Sequence, residues 1–222
     1  MSYDHENPKT WPNFHPLIIA HDVGHTRDRS TAVVGGNSPF PPRRLGILDF
    51  RELPIGLYGR ARASELAKVD RYYNHNALIV ADLSNDATYA ETLYETFGRR
   101  VIGLQISRHG DGVQGGYRPV LDGFMPVYTI GRSYLIELYH AELQSRLVRI
   151  VDSPMAAKAY AQLEALEVER RDSGYWPHGR ASSPSYFVNM GLEDVGGVAA
   201  GERLNVSQRF QPAGRFSFAN SP

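Results

Sequence analysis

Two aspartates, Asp22 and Asp82, stand about sixty residues apart, each closing an apolar run: Leu17-Ile18-Ile19-Ala20-His21-Asp22 and Ala77-Leu78-Ile79-Val80-Ala81-Asp82. Side chains alternate along a strand, so Ile18, Ala20 and Asp22 share one face of the first run, and Leu78, Val80 and Asp82 share one face of the second. Carried to neighbouring strand ends, two carboxylates can share divalent cations, and paired cations cut phosphodiesters. Mg2+ favours about six oxygen ligands, so a third acid is needed from elsewhere in the chain. Glu193-Asp194 is the best candidate, at the head of the small-residue stretch Val195-Gly196-Gly197-Val198-Ala199-Ala200. The chain has no cysteine, which leaves oxygen or imidazole ligands for any metal.

Each acid also has a plain structural reading. Asp22 before Val23-Gly24 can shape a turn, any of Asp82, Ser84, Asn85 and Asp86 can cap the helix that follows, and Asp194 can favour a helix dipole. Their order and strand context are better explained together, as one site.

The elements that must position these acids follow from pattern. Pro16 to Asp22, Ser30 to Gly35 and Leu45 to Phe50 read as three strands with short links, an antiparallel meander. From about Tyr58 the period becomes helical, with Ala63, Leu66, Ala67 and Tyr73 on one face and Arg62, Glu65, Lys68 and Asp70 largely elsewhere. Asn74-His75-Asn76 ends that helix, and Ala77 to Ala81 reads as a strand covered on both faces. A helix from about Thr88 to Phe97, stopped by Gly98, and a strand at Val101 to Leu104 complete a strand–helix–strand alternation that fits parallel crossovers. Ser107 to Pro119 is Gly-rich and reads as a flexible loop or hairpin rather than a phosphate cradle. Beyond it, helical patterns cover Arg132 to Leu147 and Ala156 to Arg171, Gly174 to Ser185 reads as a loop, and a last helix is expected within Val188 to Leu204.

The 222 residues suit one domain with appended arms: an N-terminal arm at 1–15, a domain at 16–204 and a C-terminal tail at 205–222. With 42% hydrophobic and 11% aromatic residues, the chain can build a core. No stretch approaches the ~20 apolar residues that span a bilayer, and the N-terminus lacks the features of a signal peptide, so the expectation is a soluble intracellular protein without a membrane partner. Lys and Arg total 24 against 24 Asp and Glu, a balance unlike that of a tight free-standing DNA binder. No Walker-type sequence occurs in the chain, so no motor of its own is expected.

Several of these segments, taken in order, resemble the nuclease domain of phage terminase large subunits, a branch of the ribonuclease H-like superfamily. The stretch from His21-Asp22-Val23-Gly24 to Asp28-Arg29-Ser30 is similar to that family's Asp-x-Gly-x-x-x-Asp-x-Ser opening. Asp82-Leu83-Ser84 is similar to its strand ending in Asp-x-Thr, and Leu192-Glu193-Asp194-Val195 to its His-Asp-Asp-Leu. Between them, Arg132 to Leu138 with Arg146 to Ile150, and then Gln162 to Glu167, resemble its intervening segments. The likeness spans about Ile18 to Leu204. Departures are Asn85-Asp86-Ala87 where the family has Gly-x-Gly, Arg132 for its lysine, and Gly197-Val198-Ala199-Ala200 for its Asp-Ala-Leu-Ala.

The resemblance implies an α/β, ribonuclease H-like fold with a mixed central sheet, antiparallel over its first three strands and then parallel, flanked by helices. It implies a two-metal endonuclease acting on double-stranded DNA with Mg2+ or Mn2+. Asp22 would bridge both ions, with Asp82 holding one and Asp194, beside Glu193, the other. Arg27 and Arg132 are the candidates to meet phosphate. His21 and His25 are read as packing or solvent-facing, and His109 is given no role. A separate packaging ATPase or portal in a bacterial host cytoplasm is the implied partner and setting. Two other readings stay open. One is the same fold with a weakened site, docking DNA or a packaging partner. The other, well behind, follows the similarity of Asp22-x-Gly24-x-Thr26 to the phosphate-binding turn of sugar kinases and actin-like ATPases.

Overall fold

The computed structural model describes residues 17–24, 29–37, 45–74, 76–107, 112–132, 134–135, 141, 148–150, 153–164, 167–171 and 174–178. Three antiparallel strands come first: β1 (Leu17–Asp22), β2 (Thr31–Asn37) and β3 (Leu45–Glu52). Helix α1 (Gly59–Tyr72), strand β4 (Leu78–Asp82), helix α2 (Tyr89–Phe97), a 3-10 turn (Gly98–Arg100) and strand β5 (Val101–Ser107) follow. A hairpin of β6 (Val113–Val120) and β7 (Gly123–Gly131) comes next, then β8 (Val148–Ile150), helix α3 (Pro154–Glu164), β9 (Glu167–Arg171) and β10 (Gly174–His178). Eight strands form one mixed sheet in the order β6-β7-β5-β4-β1-β2-β3-β8, and β9 pairs with β10 apart from it.

The expected mixed architecture holds. Strand β1 is the seam: it pairs antiparallel with β2 and parallel with β4, and β4, β5 and β7 continue in parallel. Ile18, Ile19, Ala20, Ile79, Val80 and Ala81 are all fully buried, because the central strands are covered on both faces. On one face Ile19, Ile79, Ala81 and Val101 pack with Ala63 and Leu66 of α1 and with Tyr89, Ala90 and Leu93 of α2. On the other, Ile18, Ala20, Val80, Ile102, Leu104 and Ile130 form a second cluster with Leu135.

Helix ends sit where local chemistry puts them. Asn74, with φ 68°, has a positive φ just past α1, and Gly98, with φ 61° and ψ -138°, takes a backbone conformation open chiefly to glycine at the end of α2. Two charged residues of α1 depart from the expected pattern: Arg62 and Asp70 are buried rather than turned to solvent. Each has its charge answered inside. Asp70 holds Arg100 in a two-pronged ion pair, with Nη1 to Oδ1 at 3.0 Å and Nη2 to Oδ2 at 2.8 Å, and also accepts the Ala77 N–H at 3.2 Å.

The chain also departs from expectation near its C-terminal side. The helix read through Ala156 to Arg171 stops as α3 at Glu164, and Glu167–Arg171 is strand β9. Its backbone bonds go to β10, which occupies the start of the segment read as a loop, so a hairpin ladder replaces the last helical turns. The hairpin reading of the Gly-rich segment holds from Val113 onward. The N-terminal arm, the last expected helix within Val188 to Leu204 and the tail lie outside the described residues.

Candidate active site

Strands β1 and β4 run parallel with Asp22 and Asp82 as register partners, each the last residue of its strand. Register partners of parallel strands point to the same face, with backbones about 4.8 Å apart. Here that face carries Ile18, Ala20 and Val80, opposite to the one covered by α1 and α2. Two carboxylates far apart in sequence therefore leave the sheet side by side at one rim. Asp22 is half-buried; Asp82 is only 7% exposed.

The turn after β4 is built around Asp82. Its Oδ1 accepts the Ser84 N–H at 2.8 Å and the Ser84 hydroxyl at 2.5 Å. Ser84 Oγ in turn accepts the Ile106 N–H at 2.7 Å, and Leu83 N–H donates to the Leu104 carbonyl at 2.7 Å, so this turn is fastened to β5. Both of these Ser84 hydrogen bonds to Asp82 fall on Oδ1. Burial pushes the Asp82 carboxyl above the ordinary 3.8, against the opposing pull of the Ser84 hydrogen bonds and the Arg132 charge. A desolvated carboxylate beside a second one is a fitting donor pair for a hard divalent cation.

The turn after β1 is fixed from two sides. Gly24 N–H donates to Ser30 Oγ at 3.1 Å, and the Gly24 carbonyl accepts from Arg62 Nη2 at 3.2 Å. His21 points to the helix face, fully buried, with its ring edge-on to Tyr89 at 5.9 Å between centroids. Its Nδ1 donates to the Thr31 carbonyl at 2.9 Å, so the neutral ring carries its proton there. Burial, helped by the Arg62 charge and opposed by the Thr31 bond, lowers its pKa from 6.5 to about 4. The expectation that His21 packs is met.

Arg132 directly follows β7, which runs parallel to β5, so it emerges at the same rim as the carboxylates, near enough for its charge to act on Asp82. Asp194, Glu193, Arg27, His25 and His109 lie outside the described residues. Among the described residues no group of three or more His, Asp or Glu could hold a metal ion. Asp22 and Asp82 are thus brought together at one rim. Ser30 stood in a motif but drew no role from sequence, and Ser84 was read only as a possible helix cap; Arg62 signalled no more than a surface basic residue on an amphipathic helix.

No protein-family model matches this sequence, and no curated protein matches it by sequence. Solved structures do match by shape. The large terminase nuclease from thermophilic phage G20c aligns with a TM-score of 0.53 at 12% identity, over 81% of each chain. The large terminase nuclease domain of Thermus phage P74-26 aligns with a TM-score of 0.50 at 15% identity, over 80% of this chain and 77% of that one. The fold is the ribonuclease H-like fold of large terminase nuclease domains.

Proposed function

We propose that this chain is a metal-dependent endonuclease that hydrolyses DNA phosphodiester bonds. One observation carries the reading: Asp22 and Asp82 end adjacent parallel strands in register and on one face, in a fold shared with two terminase nucleases. Asp22 and Asp82 hold Mg2+ or Mn2+, and Asp194 with Glu193 supplies the remaining acid. Bound cations of this kind activate water and neutralise charge on the leaving oxygen. Ser84 aims the Asp82 carboxylate by holding Oδ1. Arg132 keeps Asp82 more acidic than burial alone would and, with Arg27, meets the phosphate. The substrate is double-stranded DNA, the partner a separate packaging ATPase or portal, and the setting the cytoplasm of a bacterial host.

The balanced count of 24 basic and 24 acidic side chains favours a second reading, a module that docks DNA or a packaging partner with little catalysis of its own. Plasmid incubated with purified protein and Mg2+ or Mn2+ separates the two. Cutting is expected, and Asp22→Ala is expected to abolish it. Absent cutting, or cutting that survives in the variant, rules out the nuclease reading.

A further inference from the structure

Arg62 lies on the helix side of the sheet, behind the carboxylate pair, and only 3% of it is exposed. A buried guanidinium is costly to desolvate, and apolar packing of the same volume is often no less stable, so what it holds matters more than what it adds to stability. Its Nε donates to the Leu57 carbonyl at 3.2 Å and its Nη2 to the Gly24 carbonyl at 3.2 Å. Its Nη1 lies 3.6 Å from Asp86 Oδ2, and the group stacks 5.1 Å from the Tyr89 ring and 5.9 Å from that of Tyr58.

Two of these partners belong to the turns that leave the candidate metal site. Gly24 is two residues past Asp22, and its N–H is already fixed by Ser30. Asp86 is four residues past Asp82, and its Oδ1 accepts from Tyr89 N–H at 3.2 Å and from the Thr88 hydroxyl at 2.7 Å at the start of α2. One side chain from α1 therefore bridges the two turns, by a hydrogen bond to the turn after β1 and by a 3.6 Å ion pair to Asp86 in the turn after β4. The planar fork makes this possible: it presents five donors in fixed directions, whereas a lysine ammonium is a point charge on a flexible stem.

We infer that Arg62 is a positioning residue that sets the spacing of Asp22 and Asp82 by tying together the turns that follow them, and so sets the affinity of the site for divalent cation. The inference rests on the metal-site reading above. It leaves Arg62 untouched by substrate or metal; its effect passes through Gly24 and Asp86 to the two carboxylates.

The test compares the unaltered protein with Arg62→Lys and Arg62→Met, each shown to be folded by circular dichroism and a thermal melt. Mn2+ binding is titrated calorimetrically, and plasmid cleavage is followed against Mg2+ concentration. Partners that orient metal ligands typically contribute about 10–100-fold to affinity, so folded Arg62→Lys is expected to bind Mn2+ about 10–100-fold more weakly. Half-maximal cleavage moves to higher Mg2+ by a similar factor, while the rate at saturating Mg2+ recovers, which a purely structural role would not produce. A folded Arg62 variant binding Mn2+ within about twofold of the unaltered protein overturns the inference and leaves the metal site standing. If neither variant folds, Asp86→Asn carries the test: it removes the charge facing Arg62 but keeps a carbonyl for the first turn of α2, and unchanged affinity again overturns it. Unaltered protein that binds no Mn2+ overturns the metal site itself, and this inference with it.

Discussion

Replacing Asp82 with asparagine should make the metal-free protein more stable and remove its stabilisation by metal. Asp82 is nearly buried and is the register partner of Asp22 on the adjacent strand. Burial is the largest influence on the Asp82 carboxylate, raising its pKa above 3.8 against the Ser84 hydrogen bonds and the Arg132 charge. Removing a desolvated charge that Ser84 and Arg132 only partly compensate should recover about 1–2 kcal/mol. The amide keeps a carbonyl for the two Ser84 bonds, so the turn survives the change.

The sign follows from the raised pKa. The native state holds the Asp82 proton more tightly than the unfolded chain, so this group lowers stability as pH rises from the ordinary 3.8 through its folded value. Asparagine lacks that penalty at neutral pH. For a chain of this size the gain corresponds to a rise of about 2–8 °C in melting temperature. The assay is a pair of thermal melts at pH 7.5, in chelator and then in millimolar Mn2+. In chelator Asp82→Asn melts above the unaltered protein; Mn2+ raises the unaltered protein and leaves the variant where it was. A variant that melts at or below the unaltered protein in chelator, or gains equally from Mn2+, refutes the idea of a desolvated carboxylate poised for a cation.

Two further predictions concern the framework. His21 has a folded pKa of about 4 against 6.5 when unfolded, so its contribution is complete above pH 6.5 and is lost as pH falls toward 4. Urea unfolding should show about 2 kcal/mol less stability at pH 5 than at pH 6.5, and His21→Asn should flatten that slope; an unchanged slope in the variant counts against it. Asp70→Ala leaves Arg100 and the Ala77 N–H without their shared acceptor. With one partner buried and the other a third exposed, a loss of about 3 kcal/mol is expected from urea melts. A loss below about 1 kcal/mol means the ion pair does not fasten α1 to the 3-10 turn that leads into β5.

The candidate pair was legible because it depends on local rules. A short continuous apolar run that ends in aspartate reads as a buried strand presenting a carboxylate at its tip, and both Asp22 and Asp82 obey. Asn74 and Gly98 stopped their helices for equally local reasons. The hairpin of β9 and β10 was not legible: Glu167–Arg171 continues a helical period, and only pairing with Gly174–His178 makes it a strand. Arg62 and Asp70 fit a solvated helix face by type, since a helical period separates apolar from polar positions but says nothing of buried ion pairs.

From its order of residues alone, this chain determined which segments could be strands or helices and where acids would stand at their ends. Those outcomes depend on neighbours within a few positions. Folding in three dimensions decided that β1 pairs with β4 so that Asp22 meets Asp82, that Ser84 reaches Ile106, and that Arg62 reaches back 38 residues to Gly24. Such contacts exist only after loops close over long stretches of chain, and their free energy depends on burial, which no short window of sequence contains.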